Sequence, residues 1–335
     1  MAPQACVLAV DLGGTKVEAA LVGPRGDLQG EVRRAPTGTA ASRAELIAAL
    51  DDVVRRALAG GAFGGGTMAV TAVGIGSAGP VNLAAGTISP KNLPRLAGFA
   101  IREHVEALVP GARATLRLDG TCIALAEHWV GATRGYANSL SMVVSTGVGG
   151  GLILHNALIA GGSGNAGHIG QIQIRSRVPG APRGTATLEA IASGPSAVDW
   201  ARQRGWAGNT GEDLAVDYHG GNRVARDAVR RSATAVGEAI ASASTLLDLD
   251  IVAIGGGFVL VADDYVDLVR EAIADSILFD YAKVTVVPSA LNGRGPLIGA
   301  GGLVHRAGLL DAGRAVEGLL DGGRRGPRPE ILSAV

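Results

Sequence analysis

Residues 7–22, which read VLAVDLGGTKVEAALV, carry the densest group of side chains able to do chemistry. Two apolar runs flank a tight Gly-Gly turn, so the segment predicts a β-hairpin with its polar residues at the tip. The glycines let the backbone approach a ligand, and successive turn amides can bind an anion. Asp11 adds a carboxylate suited to Mg²⁺, Thr15 a hydroxyl and Lys16 a cation. Taken alone, the stretch also fits an ordinary hairpin without a ligand.

Two further glycine-rich turns follow apolar runs later in the chain. They are residues 146–151, TGVGGG, and residues 255–257, GGG. The turn at 146–151 repeats the opening pattern, because predicted strands precede and follow it. A second hairpin is then predicted, with its strands at 151–154 and 157–159. One glycine-rich strand end is more often structural than functional. Three in this order indicate a ligand site and two related halves of one chain.

Asp119 is the main candidate for acid–base chemistry. It lies between a predicted strand at 114–118 and a predicted helix from Thr121 to about residue 132. A helix N-terminus favours the ionised form of a carboxylate, and such a group can accept the proton of an attacking hydroxyl. Aspartate is also a preferred helix N-cap, so a purely structural cap is the alternative role.

Strands and helices alternate over most of the chain. Apolar residues recur at helical spacing in 42–59, a long helical segment is predicted at about 223–247, and a closing helix is predicted at 297–310. This alternation predicts an α/β protein, and 335 residues suffice for two domains with their own cores. The segment from Gly322 onwards, GGRRGPRPEILSAV, has no periodicity and predicts a poorly ordered extension.

Composition restricts the class of protein. The chain is 47% hydrophobic and 18% charged, which is typical of a soluble globular protein. A formal net charge of zero and an aromatic content of 3% argue against nucleic-acid and membrane partners. Cys6 and Cys122 lie in apolar surroundings and fit reduced thiols. Since we see neither a secretion signal nor a membrane-spanning run, we expect a cytoplasmic protein.

Together these motifs resemble those of the ROK family of repressors, open reading frames and kinases, within the actin and hexokinase-like superfamily. The resemblance spans about residues 5–310 and is carried by DLGGTK at 11–16, GIGSAGPV at 74–81, TGVGGG at 146–151 and IGGG at 254–257. It implies a two-lobed α/β fold of the actin/hexokinase-like, ribonuclease H-like type. The active site is then expected in the cleft between the lobes.

The resemblance also implies how the chain is divided and what it binds. The smaller lobe would comprise residues 1–118 with a C-terminal helix at about 300–312, and the larger lobe 119–299, which leaves 313–335 as a tail. The implied small-molecule partners are ATP, Mg²⁺ and a sugar. By analogy with the family, the protein is expected to be a homodimer.

The resemblance assigns roles to individual positions. Asp119 becomes the base that takes the proton of a sugar hydroxyl as this hydroxyl attacks the γ-phosphate of ATP, and Asp11 positions Mg²⁺, directly or through water. The implied ATP and phosphate contacts are Asp11, Gly13, Gly14, Thr15, Lys16, Thr146, Gly147, Gly149, Gly255, Gly256 and Gly257. The implied sugar contacts are Gly79, Asn92, Asp119, His168, Gln171 and Glu189. A turn residue is the alternative for Asn92, and a packing histidine for His168.

The chain departs from the family's pattern around the sugar. Leu118 stands where an Asn that binds a sugar hydroxyl is usual, so one polar contact is lost unless another group replaces it. His168 replaces the Glu of the family's GxxGExGH segment, and Gln171 replaces its zinc-ligating His. Phosphoryl transfer is therefore expected to be retained, while the choice of sugar stays open.

The family's zinc cluster, CxCGxxGCxE, corresponds to GAPRGTATLE at 180–189. Gly180, Pro182 and Thr187 occupy the cysteine positions, although Glu189 remains. Zinc needs about four Cys, His or carboxylate ligands, so we predict no structural zinc. The loop around 175–187 is expected to be held by hydrogen bonds and packing instead.

The function implied by the resemblance is an ATP- and Mg²⁺-dependent kinase that phosphorylates a hexose, first of all glucose, at the 6-hydroxyl. A kinase for an aminosugar, an N-acetylhexosamine or a cyclitol is the alternative. A sugar-sensing regulator is disfavoured because the first strand begins within about six residues of Met1, which leaves no room for a DNA-binding helix-turn-helix. A catalytically silent sugar- or ATP-binding protein is a further alternative.

Overall fold

The computed structural model of the protein describes residues 6–60, 70–174 and 185–310. The strands in these ranges are β1 (Val7–Leu12), β2 (Lys16–Val22), β3 (Leu28–Pro36), β4 (Ala72–Ser77), β5 (Val81–Asn82), β6 (Thr87–Ile88), β7 (Arg113–Leu118), β8 (Ser139–Val144), β9 (Val148–Leu154), β10 (Ala157–Leu158), β11 (Ile251–Gly255) and β12 (Thr285–Pro288). The α-helices are α1 (Arg43–Ala59), α2 (Ile101–Leu108), α3 (Asp119–Val130), α4 (Leu188–Ala192), α5 (Gly194–Arg202), α6 (Gly211–His219), α7 (Arg223–Leu247), α8 (Tyr265–Ser276) and α9 (Gly295–His305). The predicted tail and most of the predicted loop at 175–187 lie outside the described residues.

The first sheet has the strand order β3-β2-β1-β4-β7. β1 and β2 form the predicted antiparallel hairpin, in which Asp11 lies opposite Glu18, and β4 and β7 run parallel to β1. β1 is buried along its whole length, which explains its nearly continuous apolar run. The register aligns Leu12 with Ser77 and Ser77 with Leu118. The residues at and after these strand ends therefore meet at one edge of the sheet.

The second sheet, in the order β10-β9-β8-β11-β12, repeats this arrangement of an antiparallel hairpin beside parallel strands. The hairpin turn is confined to 145–147, so β9 starts at Val148 and not at the predicted residue 151. The glycines at 149–151 pair regularly with β8. They are part of the strand because α3 packs closely on it: a Cβ at Gly151 would lie 2.4 Å from the Gly120 carbonyl oxygen.

Helices α3 and α9 pack on each other and connect the two sheets. α9 lies on β1 and β4, and α3 lies on β8 and β9. Small residues permit this close approach, since a Cβ at Gly74 would lie 1.7 Å from the Ala300 carbonyl oxygen and one at Gly299 1.8 Å from that of Cys122. This packing fixes the start of α3, and hence Asp119, between the sheets. The division into lobes at residues 118 and 119 stays a prediction.

Helix α7 agrees with the helical segment predicted at 223–247, and it packs against α4, α5, α6 and α8, which the sequence analysis does not predict. α4, α5 and α6 contain five, nine and nine residues, too few for a recognisable helical repeat. None of the helices in the described ranges is both long and apolar enough to cross a membrane.

Candidate active site

A cavity of about 350 Å³ is lined by residues that follow strands of both sheets. All the candidate contacts predicted from the sequence lie on its wall, although they are spread over almost 250 residues of the chain. They are Asp11, Gly13, Gly14, Thr15, Lys16, Gly79, Asn92, Asp119, Thr146, Gly147, Gly149, His168, Gln171, Glu189, Gly255, Gly256 and Gly257. The structure brings these residues together, and their individual roles stay predictions.

The first glycine-rich turn is fixed by hydrogen bonds and an ion pair. The Gly13 amide donates to the Lys16 carbonyl at 2.9 Å, and the Thr37 hydroxyl donates to the Gly13 carbonyl at 2.9 Å. The Lys16 ammonium lies 2.6 Å from Glu18, whose other oxygen lies 2.6 Å from Arg34. Because Glu18 is buried, it orients the lysine at the cavity wall.

Asp11 is suited to hold a cation. It is 5% exposed, and its Oδ1 has no hydrogen-bond partner among the described residues. Burial, and after it the carboxylates of Asp119 and Glu18, raise the pKa of Asp11 to about 8 against the opposing effect of Lys16. An unpaired buried carboxylate oxygen beside a second carboxylate fits a hard cation such as Mg²⁺. The described residues contain no cluster of three or more side chains that could hold a metal ion together.

Asp119 is the first residue of α3, and Leu118 holds the cap position without a side-chain hydrogen bond. The Asp119 Oδ1 accepts a hydrogen bond from the Gly120 amide at 2.7 Å. Asp119 is therefore not the N-cap residue itself but binds an amide of the first turn of α3, and its role as base or as helix-terminus residue stays a prediction. Burial raises the pKa of Asp119 to about 6; the Gly120 hydrogen bond opposes this rise and Glu189 adds to it. At neutral pH the carboxylate remains ionised and can accept a proton.

The second glycine-rich turn faces Glu189. The Val148 amide donates to Glu189 Oε2 at 3.1 Å, and the Ser145 amide donates to the Gly147 carbonyl at 2.8 Å. A Cβ at Gly147 would lie 2.8 Å from Glu189 Oε2, so only glycine leaves this carboxylate its place. The turn thus connects the glycine motifs with the polar side chains described below.

The third turn depends on Gly256. Its φ is +108°, and a Cβ there would lie 2.3 Å from the Val144 carbonyl oxygen, so a side chain is excluded by conformation and by space. The Phe258 amide donates to the same carbonyl at 3.1 Å and fastens the turn to β8. A second cavity, of about 540 Å³, adjoins this turn and shares Ser145, Thr146 and Gly257 with the first.

We call Gly79, Lys91, Asn92, His168, Gln171 and Glu189 the acceptor side of the cavity, and the three glycine turns its turn side. On the acceptor side, Glu189 Oε1 lies 3.2 Å from Lys91 Nζ and 3.3 Å from Gln171 Nε2. Asn92 packs over the first turn, where a Cβ at Gly14 would lie 2.9 Å from the Asn92 Cβ. Side chains from three separate segments therefore meet around one carboxylate.

His168 and Leu118 both pack near Gly79. A Cβ at Gly79 would lie 3.3 Å from His168 Cε1 and 2.4 Å from Leu118 Cδ2. Burial lowers the pKa of His168, Glu189 opposes this effect and Lys91 adds to it. The neutral imidazole can donate one hydrogen bond and accept another. Leu118 is 3% exposed and belongs to the core beneath the first sheet, so it offers the cavity no polar contact.

Sequence reasoning missed several residues of the cavity wall, including Lys91, Ser145 and Ser289. For Lys91 a signal existed, because the chain has only three lysines. Ser289 follows β12 and donates a hydrogen bond to Glu127, a fully buried residue of α3. Only the folded structure shows this pairing, since 162 residues separate the two positions.

Comparison with known proteins decides the family, since the model of the ROK family matches residues 7–307. The chain belongs to the ROK family. An N-acetylmannosamine kinase of Escherichia coli is 29% identical, over 88% of this chain and 96% of the relative. A ROK hexokinase of Thermus thermophilus superposes with a TM-score of 0.73 at 29% identity, over 88% of this chain and 96% of that one. A ROK glucokinase of Streptomyces griseus, in complex with glucose and AMPPNP, superposes with a TM-score of 0.75 at 26% identity, over 90% and 99%.

These comparisons confirm two predictions from the sequence, the ROK family and the actin/hexokinase-like α/β fold. They also confirm the predicted enzyme class: the chain is a phosphotransferase with an alcohol group as acceptor. The relatives named above differ in the sugar that their names give, which leaves the acceptor of this ROK protein to be inferred from its site.

Proposed function

We propose that this ROK protein is an ATP- and Mg²⁺-dependent sugar kinase that transfers the γ-phosphoryl group of ATP to a hexose. The observation that carries the proposal is the position of Asp119, on the same cavity wall as the three glycine turns and the acceptor side. Glucose, phosphorylated at its 6-hydroxyl, is the first candidate acceptor.

The turn side would bind ATP. Amides of the first and second turns would hold the phosphates, with Thr15, Thr146 and the Lys16 ammonium beside them. The cavity that adjoins Gly257 has room for the nucleoside part. Asp11 would hold Mg²⁺, directly or through water, and this ion supplies positive charge that offsets the negative charge of the phosphates.

The acceptor side would orient the sugar for attack. Asp119 would accept the proton of the reacting sugar hydroxyl. The oxygen of that hydroxyl forms the new bond to the γ-phosphorus, and the bond from the γ-phosphorus to ADP breaks. Glu189, His168, Gln171 and Asn92 would bind the other hydroxyls, with Gly79 leaving room for the ring. Since Asp119 has a raised pKa, it is a better proton acceptor than an ordinary aspartate while still ionised at neutral pH.

N-acetylmannosamine is the second candidate acceptor. It is favoured by the 29% identity, over 88% of this chain, to a relative named N-acetylmannosamine kinase. An N-acetylhexosamine and glucose share most of their hydroxyls, so the same side chains could orient either. Aminosugars and cyclitols complete the set of acceptors to be compared.

The experiment is to measure ADP release from Mg-ATP with glucose, mannose, N-acetylmannosamine, N-acetylglucosamine, glucosamine and inositol. We expect turnover with a hexose or an N-acetylhexosamine well above the rate without acceptor, and NMR of the product should show phosphate on the 6-hydroxyl. Tight binding of sugar or ATP without any turnover would instead identify a silent binding protein. Turnover with inositol alone would contradict a hexose acceptor.

The proposal includes a homodimeric, cytoplasmic protein. Light scattering of the purified protein should give the mass of two chains, and fractionation of the source cells should place it with the cytosol. A monomer in solution, or recovery with the membranes, would contradict these two parts of the proposal without affecting the chemistry.

A further inference from the structure

The charged residues of the acceptor side, Lys91 and Glu189, bear on whether the site binds charged or uncharged sugars. The chain contains 27 arginines and three lysines, yet no arginine lines the described cavity wall, where the basic residues besides His168 are Lys16 and Lys91. Lys16 is held by Glu18 beside the first turn. Lys91 is held by Glu189, with 3.2 Å between Nζ and Oε1. A lysine carries a compact ammonium with three donors, whereas arginine carries a planar fork, so the two are not interchangeable at such a position.

Both oxygens of the Glu189 carboxylate already accept hydrogen bonds within the protein, and one acceptor position, on Oε2, is left for a ligand. Oε1 accepts from Lys91 and from Gln171, and Oε2 accepts from the Val148 amide. Lys91 comes from the segment after β6 and Glu189 from the start of α4, so the ion pair joins positions 98 residues apart. With 71% of its side chain exposed, Lys91 keeps donors free for an acceptor.

The acceptor side therefore carries no net charge. Glu189 contributes one negative charge, Lys91 one positive charge, and His168 is neutral because its burial lowers its pKa. In the proposed reaction, the remaining carboxylate, that of Asp119, faces the hydroxyl that reacts. The other hydroxyls of the acceptor would therefore face Lys91 and Glu189, and the charges of these two residues offset each other.

We propose that Lys91 is a specificity-determining residue, which makes the acceptor side select uncharged sugars over sugars that carry a free ammonium group. Adjacent hydroxyls of an uncharged sugar can accept a hydrogen bond from Lys91 and donate one to Glu189. An ammonium at the same place would be repelled by Lys91 and would have to compete with it for Glu189. This inference rests on the proposed function and narrows it, because it places free aminosugars behind glucose and N-acetylhexosamines.

The experiment compares Lys91→Glu with Lys283→Glu, which changes the net charge equally. Lys283 is a matched control because 69% of its side chain is exposed and it also forms an ion pair, at 2.7 Å from Asp280, outside the cavity. We would measure kcat/KM for glucose against glucosamine and for N-acetylmannosamine against mannosamine, in mildly acidic buffer that keeps the amines protonated. Lys91→Gln removes the charge without adding one, and melting curves verify folding.

We expect the wild type and Lys283→Glu to prefer the uncharged member of each pair. Lys91→Glu should shift the kcat/KM ratio by about tenfold toward the ammonium sugar, and Lys91→Gln by about threefold, as for a partly exposed charge. A purely structural role of Lys91 would lower both kcat/KM values together and leave their ratio unchanged.

Two results would overturn this inference but not the proposed function. One is a wild type with a higher kcat/KM for the ammonium sugars. The other is a kcat/KM ratio of uncharged to ammonium sugar that, in both Lys91 variants, lies within twofold of the ratio in Lys283→Glu. If the wild type phosphorylates no hexose and no N-acetylhexosamine, the proposed function fails and the inference falls with it; if it uses only mannose or N-acetylglucosamine, the same comparison is made between that sugar and mannosamine or glucosamine. The wild-type rates therefore distinguish the failure of one from the failure of the other.

Discussion

The two sides of the cavity are built by different means. The turn side consists mainly of backbone, and each of its three turns is formed by residues adjacent in sequence. The acceptor side consists of side chains from separate segments, which meet around Glu189 only in the folded chain. A phosphate group is the same in every kinase reaction that uses ATP, and a fixed backbone cradle suits it. A sugar differs from one kinase to the next, and exchangeable side chains suit that variation.

The departures from the family's pattern follow this difference. Leu118, His168 and Gln171 all lie on or beside the acceptor side, while the glycines of the turn side are intact. A Cβ at Gly256 would meet the fixed backbone carbonyl of Val144, and one at Gly147 would displace the Glu189 carboxylate, whereas other side chains around Glu189 can change one at a time. We therefore expect the acceptor side to vary at His168 and Gln171 without a change in the turns, whereas Glu189, which accepts from the Val148 amide, joins the two sides.

The largest expected effect is at Asp119, where the two sides meet. Asp119→Asn keeps an oxygen for the Gly120 amide but removes the proton acceptor, so turnover should fall by about two to four orders of magnitude. The measurement is steady-state turnover on the best acceptor, with melting curves to verify the fold. Turnover within about threefold of the wild type would place the base elsewhere. In the wild type, the rate should decline as the pH falls through about 6, because Asp119 becomes protonated.

The second-largest effect is expected on the turn side, where a substitution at Gly256 should change the KM for ATP. Gly256→Ala forces a side chain onto a residue with φ +108° and should destabilise the fold by about 1–3 kcal/mol. It should also raise the KM for ATP at least about tenfold, without a matching rise for the acceptor. Gly98→Ala is the control, because Gly98 also has a positive φ, +68°, its Cβ would meet nothing within 4 Å, and it lines neither cavity. Equal behaviour of both variants would show that the geometry of this turn is not what binds ATP.

On the acceptor side, Glu189→Gln should raise the KM for the acceptor about tenfold and leave the KM for ATP within about twofold. The reason is that a charged hydrogen-bond partner contributes about 1.5–3 kcal/mol and this one faces the sugar in the proposal. Glu271→Gln, at an exposed position of α8, is the control. An unchanged acceptor KM in a folded Glu189→Gln protein would remove this residue from the acceptor side.

A smaller effect concerns stability and is expected at Asp11. Its pKa of about 8 in the fold exceeds the ordinary value of 3.8, so the folded state binds this proton more tightly than the unfolded state. Its contribution to stability is therefore greatest at low pH and is lost as the pH rises from about 4 through about 8. Asp11→Asn should lose activity, yet without ligands it should be more stable than the wild type near pH 8, by about 1 kcal/mol or more.

Thermal melting of both proteins near pH 5 and near pH 8 tests this expectation. The stability advantage of Asp11→Asn should shrink at the lower pH, where the wild-type carboxyl is protonated. Mg-ATP should raise the melting temperature of the wild type more than that of the variant. An Asp11→Asn protein that is less stable than the wild type at both pH values would contradict the repulsion inferred for this carboxylate.

The smallest effect is expected on removal of metal. Because none of the usual zinc ligands remains around 171–187, purified protein should contain far less than one zinc per chain, and a zinc chelator should leave the melting temperature unchanged. Elemental analysis and melting with and without chelator provide the test. One tightly bound zinc per chain would contradict the prediction that this protein has no structural zinc.

Features that depend on residues close together in the sequence could be predicted, and those that depend on residues far apart could not. The first hairpin, the glycine turns and Asp119 were predicted because each depends on residues close in sequence. The ion pair between Lys91 and Glu189 could not be predicted, since it joins positions 98 residues apart. The glycines at 149–151 were partly misread as a turn, because packing of α3 on β9 decides their conformation.

The central claim is that Asp119 accepts the proton of an acceptor hydroxyl while the oxygen of this hydroxyl takes the γ-phosphoryl group directly from ATP. Its most direct test is to follow ADP and sugar phosphate together, by mass spectrometry, in one reaction of Mg-ATP with the best acceptor. The wild type should form one sugar phosphate for each ADP, and Asp119→Asn should form almost none of either over the same time. ADP formed without sugar phosphate, or equal product from both proteins, would contradict the claim.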